Sequence, residues 1–347
     1  MKSKNLSEKI LRSVKSRGFK YIELPSVIEA NHIVQRSGEN FRKFMFSFTD
    51  INGKELCLRP DLTIASCLRY LEGNFKGKEK IFYSGQAYRK VESKKDKIIR
   101  NQVGFEILGS KDEKNDDKEI INTSIKILQD LKFSSGTLTI GNIEIFNLLI
   151  SKLDIPKRWK LRLSRHFWRE KYFNDLLKRL ETNADIDPTI VEIDKKRYLD
   201  LLNKNPETMI AGRSVGEILK RFDTKIKDPR QAKRGNKVSK IIKSFLKISC
   251  PINKAAMELN KFFKKNKINL VVDQRYFPIS SNKLSKLNVK FSTSFGRHLE
   301  YYSGMVFKID VKSKSTTIKC AGGRYDRLIS DLGSKKQVPA VGAAFNL

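Results

Sequence analysis

Asp61 and Thr63 are the first residues in the sequence whose type and spacing could support ligand binding. They follow Pro60, at a predicted junction between a strand and a helix. A carboxylate and a hydroxyl both accept hydrogen bonds, so together they could hold an ammonium group. Asp61 could instead cap the N-terminus of the helix without any ligand. Taken alone, this block favours the helix cap.

Arg89 and the predicted strand that begins at Ile98 form a second block of polar residues. Gln102, Gly104 and Glu106 alternate along this strand, so their positions lie on one face. An amide and a carboxylate would then project beside a bare backbone position, as in the floor of a small-ligand site. The solvated face of a sheet would show the same alternation. The strand by itself supports both interpretations equally.

Two further blocks lie near the end of the sequence. Arg297 precedes the adjacent Tyr301 and Tyr302. Neighbouring residues of a strand point to opposite faces, so one tyrosine would pack in the core while the other meets a ligand. An aromatic core strand would need no ligand. Gly322 and Gly323 follow, and their missing side chains permit either close backbone approach or a tight turn.

Hydrophobic periodicity and turn residues predict the elements that must position these side chains. Helices are predicted at 5–17, 61–72, 116–132 and 143–153, and strands at 80–89, 98–108 and 137–140. Residues 44–58 are typical of a hairpin, because Asn52-Gly53 suits a tight turn.

The middle of the chain differs from both ends. Residues 156–251 have few strand signals and several helical patterns, which predict a helical insertion. Strand patterns return at 270–273, 290–294, 300–309 and 316–319. We therefore expect segments 1–155 and 252–347 to build one α+β core, with a mainly antiparallel sheet flanked by helices.

The formal net charge of +33 raises the possibility of a nucleic-acid partner. The excess is mainly lysine and extends along the whole chain, rather than forming one stripe of arginine and aromatic residues. That distribution fits a compositional bias with a solvated surface at least as well as a binding face.

The sequence predicts neither a metal site nor a cofactor. Its cysteines and histidines are scattered without metal-ligand spacing, and neither a P-loop nor a Gly-x-Gly-x-x-Gly pattern is present. The first residues are charged, and no apolar run reaches the length of a membrane span. We therefore expect a cytoplasmic protein without a membrane partner.

Taken together and in this order, the four blocks resemble the class II aminoacyl-tRNA synthetase core, and within it histidyl-tRNA synthetase and its paralogues. The resemblance runs from about Gly18 to Phe345 and covers the central insertion weakly. Segment 297–307 matches the histidine-specific signature, and segment 322–344 matches the third motif of the class. The resemblance implies a class II synthetase-like fold, whose cores usually pair, so self-association is expected.

The resemblance also implies a pocket for histidine. Positions that hold the α-amino group match Asp61, Thr63 and Gln102. Positions that meet the imidazole ring match Glu106 and one of Tyr301 or Tyr302. Arginines that contact the carboxylate and the α-phosphate match Arg89 and Arg297.

The sequence departs from an active synthetase around the expected ATP site. The third-motif arginine is absent after the last apolar strand, and Val91 stands where a glutamate is usual. Ile99 and Arg100 replace residues that help to seat adenine. The sequence ends at Leu347, with no counterpart of the anticodon-binding domain. These departures predict a protein that binds histidine without efficient activation and without tRNA selection.

This pattern resembles the family of regulatory subunits of ATP phosphoribosyltransferase. The resemblance implies a non-catalytic subunit, with no catalytic residues of its own, that joins a short-form catalytic subunit in the first step of histidine biosynthesis. Histidine would act as its feedback effector. The main alternative is a truncated but active synthetase-like enzyme that forms an aminoacyl adenylate. An RNA-binding module is a third possibility, and tRNA is not the expected partner.

Overall fold

The computed structural model describes residues 3–37, 39–73, 77–91, 97–133, 135–182, 188–210, 213–226, 232–279, 287–296, 301–312 and 317–347. The chain divides into two compact units. The first comprises Met1–Glu144, Ser249–Glu258 and Val272–Leu347, and the second comprises Ile145–Ile248 and Leu259–Val271. The predicted segments 1–155, 156–251 and 252–347 have different bounds and stay a prediction about domains.

The helices lie at α1 Ser3–Lys15, α2 Ala30–Ser37, α3 Leu62–Glu72, α4 Glu113–Asp130, α5 Ile143–Lys152, α6 Lys157–Arg165, α7 Glu170–Glu181, α8 Pro188–Leu202, α9 Val215–Ile226, α10 Ala232–Phe245, α11 Ala255–Lys265 and α12 Leu328–Asp331. The strands lie at β1 Lys20–Tyr21, β2 Val27–Glu29, β3 Ser47–Thr49, β4 Glu55–Leu58, β5 Glu79–Tyr88, β6 Ile99–Leu108, β7 Gly136–Asn142, β8 Met209–Ile210, β9 Arg213–Ser214, β10 Ser249–Pro251, β11 Leu287–Ser292, β12 Met305–Lys312, β13 Thr317–Arg324 and β14 Ala340–Asn346. No helix in the described ranges is long and apolar enough to cross a membrane.

Nine strands among the described residues form one sheet in the order β1-β5-β6-β14-β13-β12-β7-β11-β10. β1 and β5 run parallel, as do β7 and β11. All other neighbours in this sheet are antiparallel. The predicted α+β fold with a mainly antiparallel sheet is confirmed.

The centre of the sheet joins strands from the two ends of the sequence. β14 lies between β6 and β13, with Gly342 opposite both Glu106 and Gly323. On β6, Phe105 is fully buried and points away from the face that carries Glu106. Its ring packs edge-on against Phe19 at a centroid distance of 5.4 Å. Helices α1, α3 and α4 all contact β6.

Local sequence signals positioned most of these elements correctly. α1 ends shortly before Gly18, which adopts a φ of +80°. The predicted hairpin forms between β3 and β4, and Gly53 in its turn has a φ of +78°. An aspartate side chain stabilises this turn, since Asp50 Oδ1 accepts backbone hydrogen bonds from Asn52 and Lys54.

Two strand predictions are wrong. Segment 270–273 pairs with no strand, and Asp273 instead caps a short 3₁₀ turn by accepting a hydrogen bond from the backbone N–H of Arg275. The strand predicted at 300–309 begins only at Met305, so Tyr301 and Tyr302 precede it. Glu300 and Thr316, at the ends of predicted strands, lie outside the described residues.

Candidate functional site

A cavity of about 280 Å³ lies in the first unit, on the side of the sheet where Glu106 projects. Small-molecule pockets span roughly 300–1,000 Å³, so this volume suits a ligand of amino-acid size. The lining residues are Asp61, Thr63, Ala87, Arg89, Arg100, Gln102, Glu106, Tyr301, Tyr302, Ala321, Gly322, Tyr325, Gly342, Ala343, Ala344 and Asn346.

The structure brings together all of the described side chains that the sequence predicted as ligands. Asp61, Thr63, Arg89, Gln102, Glu106, Tyr301 and Tyr302 line this one cavity. Arg297, the remaining predicted ligand, lies outside the described residues. The four sequence blocks therefore converge on a single site, although their histidine-binding role stays a prediction.

Asp61 combines the two roles that the sequence left open. It caps α3, because its Oδ1 accepts a hydrogen bond from the backbone N–H of Ile64 at 3.0 Å. Its Oδ2 lies 3.5 Å from the Tyr301 hydroxyl and 3.6 Å from Arg89 Nη2. The helix cap and a ligand contact use different oxygen atoms, so one does not exclude the other.

Glu106 is the most deeply buried acid of the site, with 1% of its surface exposed. The Tyr83 hydroxyl donates to its Oε1 at 2.5 Å, and the Tyr325 hydroxyl donates to its Oε2 at 2.6 Å. Burial raises the pKa of Glu106 to about 7, although the hydrogen bonds from Tyr325 and Tyr83 oppose the rise. Both protonation states of this carboxyl are therefore populated near neutral pH.

Gly342 makes the position of Glu106 possible. A Cβ atom at residue 342 would lie 1.2 Å from Glu106 Oε2. On the next strand, a Cβ at Gly322 would lie 2.1 Å from the carbonyl oxygen of Gly342. Gly322 and Gly323 both lie within β13, so they serve close backbone approach and not a tight turn. Gly322 and Gly342 thus form part of the floor of the cavity.

The prediction that Tyr301 and Tyr302 point to opposite faces is wrong. Both rings line the cavity, and their centroids lie 4.9 Å apart. Side chains alternate only within a regular strand, and these residues belong to the irregular segment before β12. Burial raises the pKa of both hydroxyls, so each stays protonated as a hydrogen-bond donor.

The cavity also carries positive charge. Arg89 and Arg100 line it, and Arg89 Nε donates to the carbonyl oxygen of Pro60 at 2.8 Å, which orients the guanidinium. Gln102 Nε2 donates to Asn346 Oδ1 at 2.7 Å. Two carboxyls and two guanidinium groups around one space suit a zwitterion, whose ammonium and carboxylate need opposite partners.

Sequence reasoning missed Arg100, Tyr325 and Asn346 as lining residues. The alternation that placed Gln102 and Glu106 on one face of β6 includes residue 100, so this signal was present. Asn346 shares a face of β14 with Gly342 in the same way. Tyr325 lies two residues after Gly323 in the sequence, but nothing local indicated that its hydroxyl would reach Glu106.

Arg324 directly follows Gly323 in the sequence, but its side chain packs in the core. It is 4% exposed, and its guanidinium bonds Asp117 Oδ1 at 2.7 Å and Asp326 Oδ1 at 2.9 Å. Burial raises the pKa of Asp117 to about 6, although Arg324 opposes the rise. Arg324 therefore anchors β13 to α4 and is not a lining residue. In the ranges that the structure describes, no cluster of three His, Cys, Asp or Glu side chains is placed to hold a metal ion.

Known proteins are similar to this chain along most of its length. The family model described as histidyl-tRNA synthetase matches residues 1–347. An ATP phosphoribosyltransferase regulatory subunit from Agrobacterium fabrum is 27% identical over an alignment of 350 positions, which covers 96% of this chain and 92% of that protein.

Solved structures agree on the fold. An ATP phosphoribosyltransferase regulatory subunit/histidyl-tRNA synthetase from Bacillus halodurans aligns with a TM-score of 0.57 and 22% identity, covering 99% of this chain and 76% of that one. A chain of the ATP phosphoribosyl transferase (HisG:HisZ) complex from Thermotoga maritima aligns with a TM-score of 0.54 and 18% identity, covering 100% and 98%. The match of the family model along the sequence shows that the chain belongs to the histidyl-tRNA synthetase family.

Proposed function

We propose that this chain is a regulatory subunit that assembles with a separate ATP phosphoribosyltransferase catalytic subunit, and that its cavity binds histidine as an effector. The observation that carries the assignment is the similarity to the Agrobacterium fabrum regulatory subunit across 96% of the chain. The convergence of the predicted ligands on one cavity supports the histidine site. The assembly is expected in the cytoplasm, with the synthetase-like core also mediating self-association.

The polar groups of the cavity suggest how histidine would bind. Asp61, Thr63 and Gln102 offer oxygen atoms to the α-amino group, while Arg89 offers a guanidinium to the carboxylate. Arg297 would add a second guanidinium by resemblance. The imidazole ring would then meet Glu106 and one of the two tyrosines. An ionised carboxylate has about four lone-pair sites, so two tyrosine donors leave Glu106 able to accept from a ring N–H.

Feedback regulation needs a difference in affinity between two states. Histidine inhibits only if it binds an inactive arrangement of the complex more tightly than the active one. By the same linkage, a substrate that binds the active arrangement more tightly must weaken the binding of histidine. The proposal thus predicts coupled binding as well as inhibition.

The test is to coexpress this chain with a short-form catalytic subunit and to measure phosphoribosyltransferase activity with and without histidine. We expect activity to require this chain and to fall with histidine. In complexes carrying Glu106→Gln, we expect the histidine concentration for half-inhibition to rise at least about tenfold. This is the effect expected from the loss of one charge-assisted hydrogen bond between the ligand and the protein. Glu8→Gln, on the exposed face of α1, is the matched control. Activity without this chain, or equal inhibition in both variants, contradicts the proposal.

The alternative of an active synthetase-like enzyme has its own assay. An enzyme that forms an aminoacyl adenylate would exchange pyrophosphate into ATP when histidine is present. We expect the isolated chain to show no such exchange above background, since Val91, Ile99 and Arg100 replace residues that an active synthetase carries around ATP. Sustained exchange that disappears in Glu106→Gln would replace the regulatory assignment with an enzymatic one.

A further inference from the structure

A second and larger concave surface lies in the second unit, where helix α10 faces the C-terminal end of α11. We call it the lysine groove. Its volume is about 660 Å³, and it is lined by Lys233, Asn236, Lys237, Lys240, Ile241, Ser244, Lys265, Asn266 and Lys267. Five of these nine residues are lysines, and Ile241 is the one apolar side chain in the set. Neither the resemblance nor the proposed function assigns a role to this groove.

The lysines are arranged by the helix and converge on one space. Lys233, Lys237 and Lys240 follow one face of α10, since residues three and four apart on a helix are neighbours. Lys265 and Lys267 approach from the other wall. All five side chains are exposed. Their ammonium groups therefore raise the positive potential inside a single concave surface, and concave surfaces concentrate such fields.

The lining residues carry no negative charge, and the nearby Glu181 acts on Lys240 alone among the five lysines as far as the described residues show. No carboxylate occurs among the lining residues, and in the part of the chain that the structure describes no ion pair involves these five lysines. Lys243 on the same helix behaves differently, because its Nζ and the Ser239 hydroxyl both bind Glu181 Oε1, at 2.5 and 2.6 Å. Helix α10 thus places Lys243 in an ion pair on one side, whereas its lysines that line the groove form no ion pair with the described residues. An anion would remove the repulsion among them.

The lining side chains indicate which class of anion the groove would bind. Lysine ammonium groups are point charges with three donors each and suit phosphate oxygens. The lining includes no aromatic ring on which a base could stack and no arginine for bidentate contacts. Asn236, Ser244 and Asn266 add neutral hydrogen-bonding groups. This combination favours a compact ligand that is mostly charge over a nucleic-acid strand or an apolar molecule.

We propose that the lysine groove binds a compact polyphosphate, a ligand carrying at least two linked phosphate groups. The groove lies entirely within the second unit, whereas the histidine cavity lies in the first. The inference therefore does not depend on the proposed function, and either can fail alone.

The test is isothermal titration of the full chain with inorganic triphosphate at low and physiological salt. We expect saturable binding that weakens with salt. Lys237→Gln with Lys265→Gln, one residue from each wall, should weaken it at least tenfold. Lys195→Gln with Lys196→Gln is the matched control, because it removes the same charge from exposed positions of α8 in the same unit. We expect the control to retain wild-type affinity.

Three outcomes would overturn the proposal. The first is the absence of saturable binding of triphosphate at low salt. The second is an equal loss of affinity in both double variants, which would assign the binding to net charge. The third is that duplex RNA binds through Lys237 and Lys265 while triphosphate at millimolar concentration fails to compete, which would make the groove a nucleic-acid surface.

Discussion

The cavity around Glu106 and the lysine groove both gather charged side chains, but they do so under different physical constraints. In the cavity, Glu106 is 1% exposed and accepts hydrogen bonds from two buried tyrosine hydroxyls. In the groove, Lys237 and Lys265 are exposed and have no ion-pair partner among the described residues. Burying a charge without a partner is costly, whereas water solvates an exposed one.

This difference between buried and exposed charges shows on which of them the fold depends. The buried charged groups of the first unit form hydrogen bonds within the core, so changing them should alter the stability of the protein as well as the site. The exposed lysines of the second unit are not part of the packing, so changing them should alter only what binds there. Four experiments sharpen this contrast, and the effects on stability should decrease from the first to the last.

Arg324→Ala should have the largest effect. It removes the cation that neutralises Asp117 and Asp326 in the core, and breaking a buried ion pair in this way costs about 3–5 kcal/mol. Urea denaturation of the variant measures the loss. Arg69→Ala, which breaks the exposed pair with Glu72, should change stability by less than about 1 kcal/mol. Similar losses in the two variants would contradict the distinction between buried and exposed charges.

Gly342→Ala should be next. The added methyl group overlaps Glu106 Oε2, and overpacking of this kind costs about 1–3 kcal/mol. Because the carboxylate must move, histidine binding should be lost as well. Gly216→Ala is the control, since the nearest atom to its Cβ lies 3.6 Å away. Thermal unfolding and a histidine titration of both variants check the prediction, which fails if Gly342→Ala binds histidine like the wild type.

The pH dependence of stability should report the burial of Glu106. Its pKa rises to about 7 in the folded protein from an ordinary value of 4.5, so the proton favours the folded state. The stability that this proton contributes is fully present below pH 4.5 and is lost as pH rises through 7. Compared with Glu106→Gln, the wild type should therefore lose about 1–3 kcal/mol of relative stability across this window.

Denaturant unfolding of both proteins at several pH values measures this difference. The comparison cancels other titrating groups, including Asp117, whose pKa burial also raises. A relative stability that stays flat or rises between pH 5 and 7.5 would contradict the burial of an ionisable Glu106.

The double variant Lys237→Gln with Lys265→Gln should have the smallest effect on stability. Surface substitutions of this kind usually change the free energy of unfolding by less than about 0.5 kcal/mol. The double variant should be slightly more stable than the wild type, because repulsion among the lysines of the groove decreases. Histidine affinity should match that of the wild type. A destabilisation above 1 kcal/mol, measured by urea denaturation, would mean that these lysines have structural partners.

Much of the fold could be predicted because its signals are local. The spacing of apolar residues identified α1 and α4, and Asn52-Gly53 identified the hairpin turn. The error at residues 270–273 has the opposite cause. An apolar run there resembles a strand, but a strand forms only where another strand pairs with it, and residues 270–273 have no such partner among the described residues.

The residues of the site also divide into those that a local pattern predicted and those that only long-range contacts determine. The sequence identified Glu106 and Gln102 as neighbours on one face, since alternation along a strand is a local property. It placed Tyr301 and Tyr302 on opposite faces, because it could not show where β12 begins. It also could not show that Tyr325 donates to Glu106, a contact that spans 219 positions.

By itself, the sequence determined which polar groups this protein offers and the helices and strands that carry most of them. Only the tertiary structure decided that Asp61, 240 positions before Tyr301, would meet it across a cavity. It also decided that Gly342 would leave space for the carboxylate of Glu106. The physical reason is register: the pairing of β6 with β14 depends on the packing of the whole sheet, whereas helices and turns depend on residues a few positions apart.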